Sequence, residues 1–484
     1  MKKKVVQLFL AGAVVISGFA ASTLTVLAAG PGDIKWDKPV AVVDRITRQG
    51  PVEVITPILE GYGVKLAGKK GMLTGYILPE GWKEAIKDTE ILVATNSGSL
   101  PHDPATVLNA RIFEKMTGVY LELIEMKDEL LWPKTLTAAM ARSKDVDLFY
   151  IDRAMMDTPI LSAAGWIYPV DVLYPPEVQK LYSEGVLMSL RGLKGRFYST
   201  PLTLWSEYLF YRPSWLRKAG VKVPTTWQEL VVASKKVDEW AKANMGSGYV
   251  GMVTSLGDPD SVYRLWAMLT YAKDERIVKD GKVIIDPEVW NLLTDLWLKG
   301  GTSKESIEYR WPDAPEVFAK GKAGFIIAGS VFMKKFGDPE YAGTIKGDWN
   351  VTLGSAWEGV GVPGRSLGEP DTWAINPFIS PAKKAAAMLW LDYYRSYQAQ
   401  FNELYVEGNE SCMKTVYDHP LVKTGVDFPD VRAAAVAQHM GESFPPYTPE
   451  ALEMFKEYLH KVVIGKIDQT SALKKLQKDI DKMH

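Results

Sequence analysis

The sequence predicts an α/β protein with two sheets and a helical C-terminal tail, and three patterns carry that expectation. First, short apolar runs alternate with helical periods. Ile91-Leu92-Val93-Ala94 reads as a buried strand ending in Thr95-Asn96-Ser97-Gly98-Ser99, and a helical spacing follows through Ala105, Leu108, Ile112 and Phe113 to Gly118. A strand at Val119–Ile124, a helix at Leu130–Ala141 and a strand at Val146–Tyr150 complete the series. Strands alternating with helices of this length make βαβ units and a parallel sheet. Second, the same grammar returns later. Tyr208–Tyr211 reads as a strand, Thr225 or Thr226 caps a helix opening at Trp227, and Ala323–Ala328 is a strand stopped by Gly329-Ser330. Third, helical periods fill the end of the chain, at Ala382–Tyr394, Pro449–Val463 and Ser471–Met483.

Length and charge bound the function. At 484 residues the chain holds two or three domains. Its 57 basic and 58 acidic residues leave no concentrated positive surface of the kind nucleic acid requires. One cysteine, Cys412, excludes a disulfide framework and a Cys-based metal centre. Met1 and three lysines precede an apolar run from Val5 to Val14, and small residues arrive at Ala28 and Ala29. That order spells a secretory signal peptide over residues 1–28, cleaved after Ala28; the competing reading is a retained membrane anchor. Cleavage removes three lysines and takes the net charge from −1 to about −4. Residues 29–88 form an N-terminal extension rich in Gly, Pro and Lys, and the sequence leaves both a subdomain and a stalk open.

Several catalytic spellings fail on context. Gly359-Val360-Gly361-Val362-Pro363-Gly364 has the spacing of a dinucleotide loop, but a proline interrupts it and no helix follows. Ser380-Pro381-Ala382-Lys383 and Lys423-Thr424-Gly425 mimic pieces of an acylation site, yet Ser380 reads as a helix cap. The five histidines are scattered without a His-Glu-x-x-His pair, so neither a metal nor a cofactor is expected. A glycosidase needs only two placed carboxylates, which keeps an enzyme as a rival reading.

A resemblance then enters on residues. Phe113-Glu114-Lys115-Met116-Thr117-Gly118-Val119 resembles the opening motif of bacterial extracellular solute-binding proteins of the large sugar-binding, maltose-binding-protein-like class. Further matches follow in that family's order. They are Val146–Tyr150 with Ala164–Pro169, Gly195–Pro201, Leu209–Arg212 through Gly220 and Pro224–Trp227, and Phe318–Ala323 with Ala328-Gly329-Ser330. Together they span about residues 89–484. The resemblance implies a periplasmic-binding-protein type II-like fold of two discontinuous lobes joined by a hinge. Lobe 1 is expected at 89–203 plus 372–412, and lobe 2 at 204–371 plus 413–484. It implies a monomer in the periplasm or cell envelope that takes a small molecule, a sugar above all, into the interlobe cleft. The partner is then the permease of an ABC importer, and no chemistry is done on the ligand. Binders of a polyol or a glycerol phosphate are the alternatives, and for a phosphate only Arg153 and Arg264 are obvious cations.

The same resemblance, read with side-chain chemistry, nominates ligand contacts. Asp152-Arg153 at a strand end resembles the family's Asp-Arg pair on sugar hydroxyls, an acceptor beside a fork of donors. Asn96, Ser97 and Ser99 end the first strand, where the family places polar contacts. Trp205, Trp373, Tyr263, Trp266 and Tyr447 are the aromatic candidates for a pyranose face, and for each one core packing is an equal reading. Asp258 belongs to the polar loop before Tyr263. Ser330 opens a helix N-terminus whose free N–H groups suit a hydroxyl.

Overall fold

The computed structural model describes residues 34–36, 42–48, 75–97, 104–365 and 368–483; the signal segment and Ser99 lie outside the described residues. Eleven strands are present among them: β1 (Ile91–Ser97), β2 (Tyr120–Met126), β3 (Leu148–Ile151), β4 (Ser199–Trp205), β5 (Glu207–Tyr211), β6 (Val250–Val253), β7 (Val278–Lys279), β8 (Lys282–Val283), β9 (Ala323–Gly329), β10 (Asn350–Leu353) and β11 (Glu369–Ile375). They form a five-stranded sheet of order β2-β1-β3-β11-β4, a four-stranded sheet of order β10-β5-β9-β6, and the small hairpin β7-β8.

Both large sheets are mixed rather than purely parallel. β1 pairs with β2 and β3 in parallel, while β11 runs antiparallel between β3 and β4. In the second sheet only the β6–β9 pair is parallel. The expectation of a parallel sheet thus holds where βαβ crossovers exist and fails where the chain arrives from the other sheet. Burial explains the composition of the central strands. Leu148-Phe149-Tyr150-Ile151 and Ala323–Gly329 are buried along their whole length, since each lies inside a sheet covered on both faces.

Local chemistry sets the helix starts. Thr226 accepts from the Glu229 amide at 3.1 Å while the Glu229 carboxylate accepts from the Thr226 amide at 3.3 Å, a reciprocal box that opens the helix Trp227–Met245. Ser380 and Asp258 each accept from the amide three residues on, and a proline follows each at the first helical position. The sequence-expected helices at 382–394, 449–463 and 471–483 are observed at Pro381–Tyr394, Thr448–Val463 and Gln469–Ile480.

The chain passes from the first sheet to the second through one residue, Ser206, between β4 and β5. It returns between β10 and β11, and leaves again after the helices Pro381–Tyr394 and Tyr397–Asn402. Each sheet owns a core. Phe113, Trp373, Trp390, Tyr393 and Tyr394 pack beside the first sheet. Trp266, Trp290 and Phe455 pack beside the second, where Phe455, Leu459, Leu476 and Ile480 bring the tail helices in.

Described parts of the N-terminal extension are built into the first core. Ile34, Trp36, Ile46 and Tyr76 are buried there. Arg45 is 1% exposed and forms an ion pair with Asp392 of the helix Pro381–Tyr394. Its guanidinium also donates to the Tyr76 hydroxyl at 3.3 Å and the Trp36 carbonyl at 3.1 Å. Tyr76 donates to the same carboxylate at 2.5 Å, and Arg395 holds its other oxygen at 2.5 Å. Burial pulls Arg45 down to about 10 and pushes Tyr76 up to about 12, because each charged form loses water. These described parts of the extension clasp the first sheet.

Candidate functional site

The strand ends of the second sheet gather around Trp205, the last residue of β4. Its indole Nε1 donates to Glu207 at 2.7 Å, which fixes the ring over the start of β5. Trp311 meets that ring edge-on, with centroids 5.6 Å apart, and Phe332 lies 5.7 Å beyond Trp311. The guanidinium of Arg264, one turn into the helix Pro259–Ala272, sits 5.4 Å from the Trp205 centroid. Gly329 ends β9 against the same ring, and a Cβ there would stand 2.1 Å from Trp205. These side chains, with Thr254, Ser255 and Ser261, line one cavity. An aromatic wall beside a guanidinium and a carboxylate offers stacking and hydrogen bonding in one place.

Charged groups from both sheets converge next to it. Asp152 and Arg153 follow β3, and Arg153 reaches Asp157 at 3.4 Å and Asp260 at 3.6 Å. Asp260 stands on the helix that carries Arg264, so this ion pair joins elements of the two sheets. Glu369 and Asp371 come from β11; Glu369 is 1% exposed and accepts from the Met155 amide at 2.9 Å. Arg264 feels Glu369, Glu207, Asp371 and Asp260, and although burial works against its charge, these four hold its pKa above the ordinary range. Burial pushes Asp157 up to about 7 and Glu369 up to about 8, against the pull of Arg153 and Arg264 respectively. Asp152 is raised well above a normal carboxylate by burial and then by Asp260. Among the described residues no cluster of His, Cys, Asp and Glu is arranged to hold a metal.

The sequence candidates divide. Trp205 lines the cavity, while Arg153 and Asp152 reach it indirectly, through Asp260 on the helix that carries Arg264. Asp258 spends its side chain on the cap, accepting from the Ser261 amide at 2.7 Å and the Ser261 hydroxyl at 2.9 Å, while lying within electrostatic reach of Asp260 and Arg264. Asn96 is buried at the end of β1, beside Ser97. Trp373 is not at a cleft: it is fully buried in β11, donates to the Thr95 carbonyl at 2.9 Å and packs on Trp390 and Tyr394. Trp266 stacks on Phe455 at 4.5 Å, and Tyr263 meets Phe444 at 5.6 Å, both inside the second core. Their helix presents Arg264 and Ser261 to the cavity, and these two residues face its other side. Tyr447 accepts from the Val283 amide at 3.0 Å, tying the β7-β8 hairpin to the tail. Ser330 is 2% exposed, and its backbone bonds to Ser206 and Arg432. Glu207, Trp311 and Glu369 were not among the sequence candidates. A Trp at a strand's last residue followed by Glu two places on is the signal that could have found the first of them.

A second polar cluster occupies the crossing itself. The Ser206 hydroxyl donates to Glu410 and lies 2.7 Å from His439 Nε2, and Tyr208 donates to the other Glu410 oxygen. The three residue types suggest a nucleophilic triad, but the proton polarity is reversed. When Glu410 is ionised Ser206 gives its hydrogen to the carboxylate and Nε2 donates to Ser206, the reverse of the polarity a nucleophile needs. His439 Nδ1 has no partner, and burial holds the ring neutral, with its pKa down to about 3. The cluster ties the crossing strands together; it does not activate a nucleophile.

Burial raises Asp157, Glu410 and Glu442 to about 7 and Glu369 to about 8. The folded chain keeps these protons where the unfolded chain has released them, so their stabilisation is full below the unfolded values near 4 and is lost as pH rises through 7 to 8. His439 acts only below its unfolded value of 6.5, where it works in the opposite sense. The melting temperature is expected to fall between pH 6.5 and 8.5, and Glu410→Gln to flatten that slope; a profile that is level or rising in the wild type would contradict these assignments.

Comparison with known proteins adds the family. Residues 110–430 match a family described as bacterial extracellular solute-binding protein. Among solved structures, the maltose-bound MalE3 of T. maritima superposes with a TM-score of 0.70 at 21% identity, over 81% of this chain and 100% of that one. A ribitol complex of an ABC transporter solute-binding protein from Agrobacterium radiobacter K84 gives 0.68 at 23%, over 82% and 98%. The GacH receptor of Streptomyces glaucescens GLA.O, solved unliganded and with acarbose, gives 0.67 at 17%, over 81% and 98%.

Proposed function

The chain belongs to the bacterial extracellular solute-binding proteins, and from that premise we propose that it is exported, captures a carbohydrate between two lobes and presents it to an ABC importer. The lobes are those built on the two sheets, with crossings at Ser206, near Gly368 and near Glu410. The observation that carries this reading is the Trp205–Trp311 wall beside Arg264 and Glu207, with Asp152 and Arg153 approaching from the first sheet. Aromatic faces suit the C–H side of a pyranose, and carboxylates with guanidinium forks suit hydroxyls that both give and take hydrogen bonds. Hinge closure about Ser206 brings the two sets onto one ligand. The protein works as a monomer in the periplasm or envelope and leaves its ligand chemically unchanged.

A polyol is the second reading, supported by the ribitol and mannitol complexes among the structural neighbours. The test is a melting-temperature panel of mono- and oligosaccharides and polyols on protein refolded to strip carried ligand. A ligand at 100 times its dissociation constant adds about 2.7 kcal/mol, and the hit is expected to be recovered intact after overnight incubation. A flat panel would overturn the carbohydrate reading, and shortened products would replace a carrier by a glycosidase.

A further inference from the structure

We infer that the preferred ligand of this cleft carries a protonated amine alongside its hydroxyls and no acidic group. The inference rests on the carbohydrate reading above and sharpens it to a substrate class.

The cleft is short of donors. Seven carboxyl groups act electrostatically on one another or on the two arginines beside it: Asp152 and Asp157 after β3, Glu207 on β5, Asp258 and Asp260 at the start of the helix Pro259–Ala272, and Glu369 and Asp371 on β11; Glu207 lines the cavity itself. The cations acting on them are Arg153 and Arg264. Arg153 is already engaged by Asp157 and Asp260. Two acceptor oxygens are left over: Glu369 Oε2 and Asp157 Oδ2 are buried without a hydrogen bond, and both side chains are about 1% exposed. A buried oxygen without a donor is costly, so a ligand that brings donors gains most here.

A sugar hydroxyl adds one donor and two acceptors, and so leaves the imbalance in place. An ammonium adds three donors and no acceptor, and its charge is opposite to that of the site. A phosphate or carboxylate would add acceptors and like charge to a crowd of carboxyls, and would compete with Glu369, Glu207, Asp371 and Asp260 for Arg264. The raised Asp157 and Glu369 carboxyls support the same conclusion. Lacking donors, these two carboxyls take up protons near neutral pH; an ammonium supplies the donors and the charge that let them ionise, so an amine ligand releases protons on binding and a neutral one does not.

The test uses matched probes by isothermal titration: glucose, glucosamine and glucose 6-phosphate; cellobiose and the fully deacetylated chitin disaccharide; sorbitol and 1-amino-1-deoxysorbitol. Each is titrated at pH 7 in two buffers of different ionisation enthalpy. In at least one set the amine is expected to bind 10-fold or more tighter than its neutral partner and to release protons, while the phosphate ester does not bind. Glu369→Gln is expected to cut the amine-to-neutral affinity ratio at least fivefold, and Asp371→Asn provides the same reading should the first variant fold poorly. Neutral probes that bind as well as or better than their amines would overturn this inference and leave the carbohydrate reading standing. Silence from every set would overturn both.

Discussion

Arg45→Ala is expected to lower the unfolding free energy by about 3–5 kcal/mol, the range for removing one partner of a buried ion pair. Arg45 and Asp392 are 1% and 0% exposed, so no water replaces the missing guanidinium. Asp392 keeps Tyr76 and Arg395, but the Trp36 carbonyl loses its donor and the core loses a large side chain. The control is Lys35→Ala, which breaks a single ammonium contact, 2.7 Å to Glu80, in a pair whose side chains are about half exposed. That change is expected to cost less than about 1 kcal/mol, since surface pairs gain little over their solvated partners. Chemical denaturation of both variants checks the contrast. Equal, small losses would mean that the extension rests on the first sheet without stabilising it.

Gly329→Ala is expected to weaken ligand binding at least tenfold, with a stability loss of about 1–3 kcal/mol as for other overpacked sites. The added methyl would lie 2.1 Å from the Trp205 ring, and β9 is held between β5 and β6 and cannot retreat. Trp205 must swing away, breaking its bond to Glu207 and its edge contact with Trp311. Titration of the best ligand from the melting panel, followed by tryptophan fluorescence, reads both effects. Binding at wild-type strength in a folded Gly329→Ala protein would remove Trp205 from the site.

The fold was legible because its signals are local. An apolar run such as Phe325-Ile326-Ile327 has one low-energy outcome, and Ser380 before a proline has another. The site was only half legible, for a reason that the tryptophans make plain. Trp205 and Trp373 both lie on strands of the first sheet, one at its last residue and one well inside. Which of them faces a cavity depends on what covers each strand, and β11 is central because the chain returns from the other sheet to insert it. No neighbour in the sequence records that. Tyr263 and Trp266 share the difficulty in helical form, since their helix turns them inward and Arg264 outward. Glu369 follows a glycine-rich loop and carries no local signal; what marks it is the set of charges that other elements bring to it, Arg264, Asp157 and Asp260.

The clasp at Arg45 also sets a timetable. Its carboxylate partner lies 347 residues further along the chain. The leading segment therefore has nothing to lock onto until most of the polypeptide is available to it. Contacts of such long reach form slowly, because so much chain must be ordered to close them. The end of the chain that is made first is thus among the last to be locked in place.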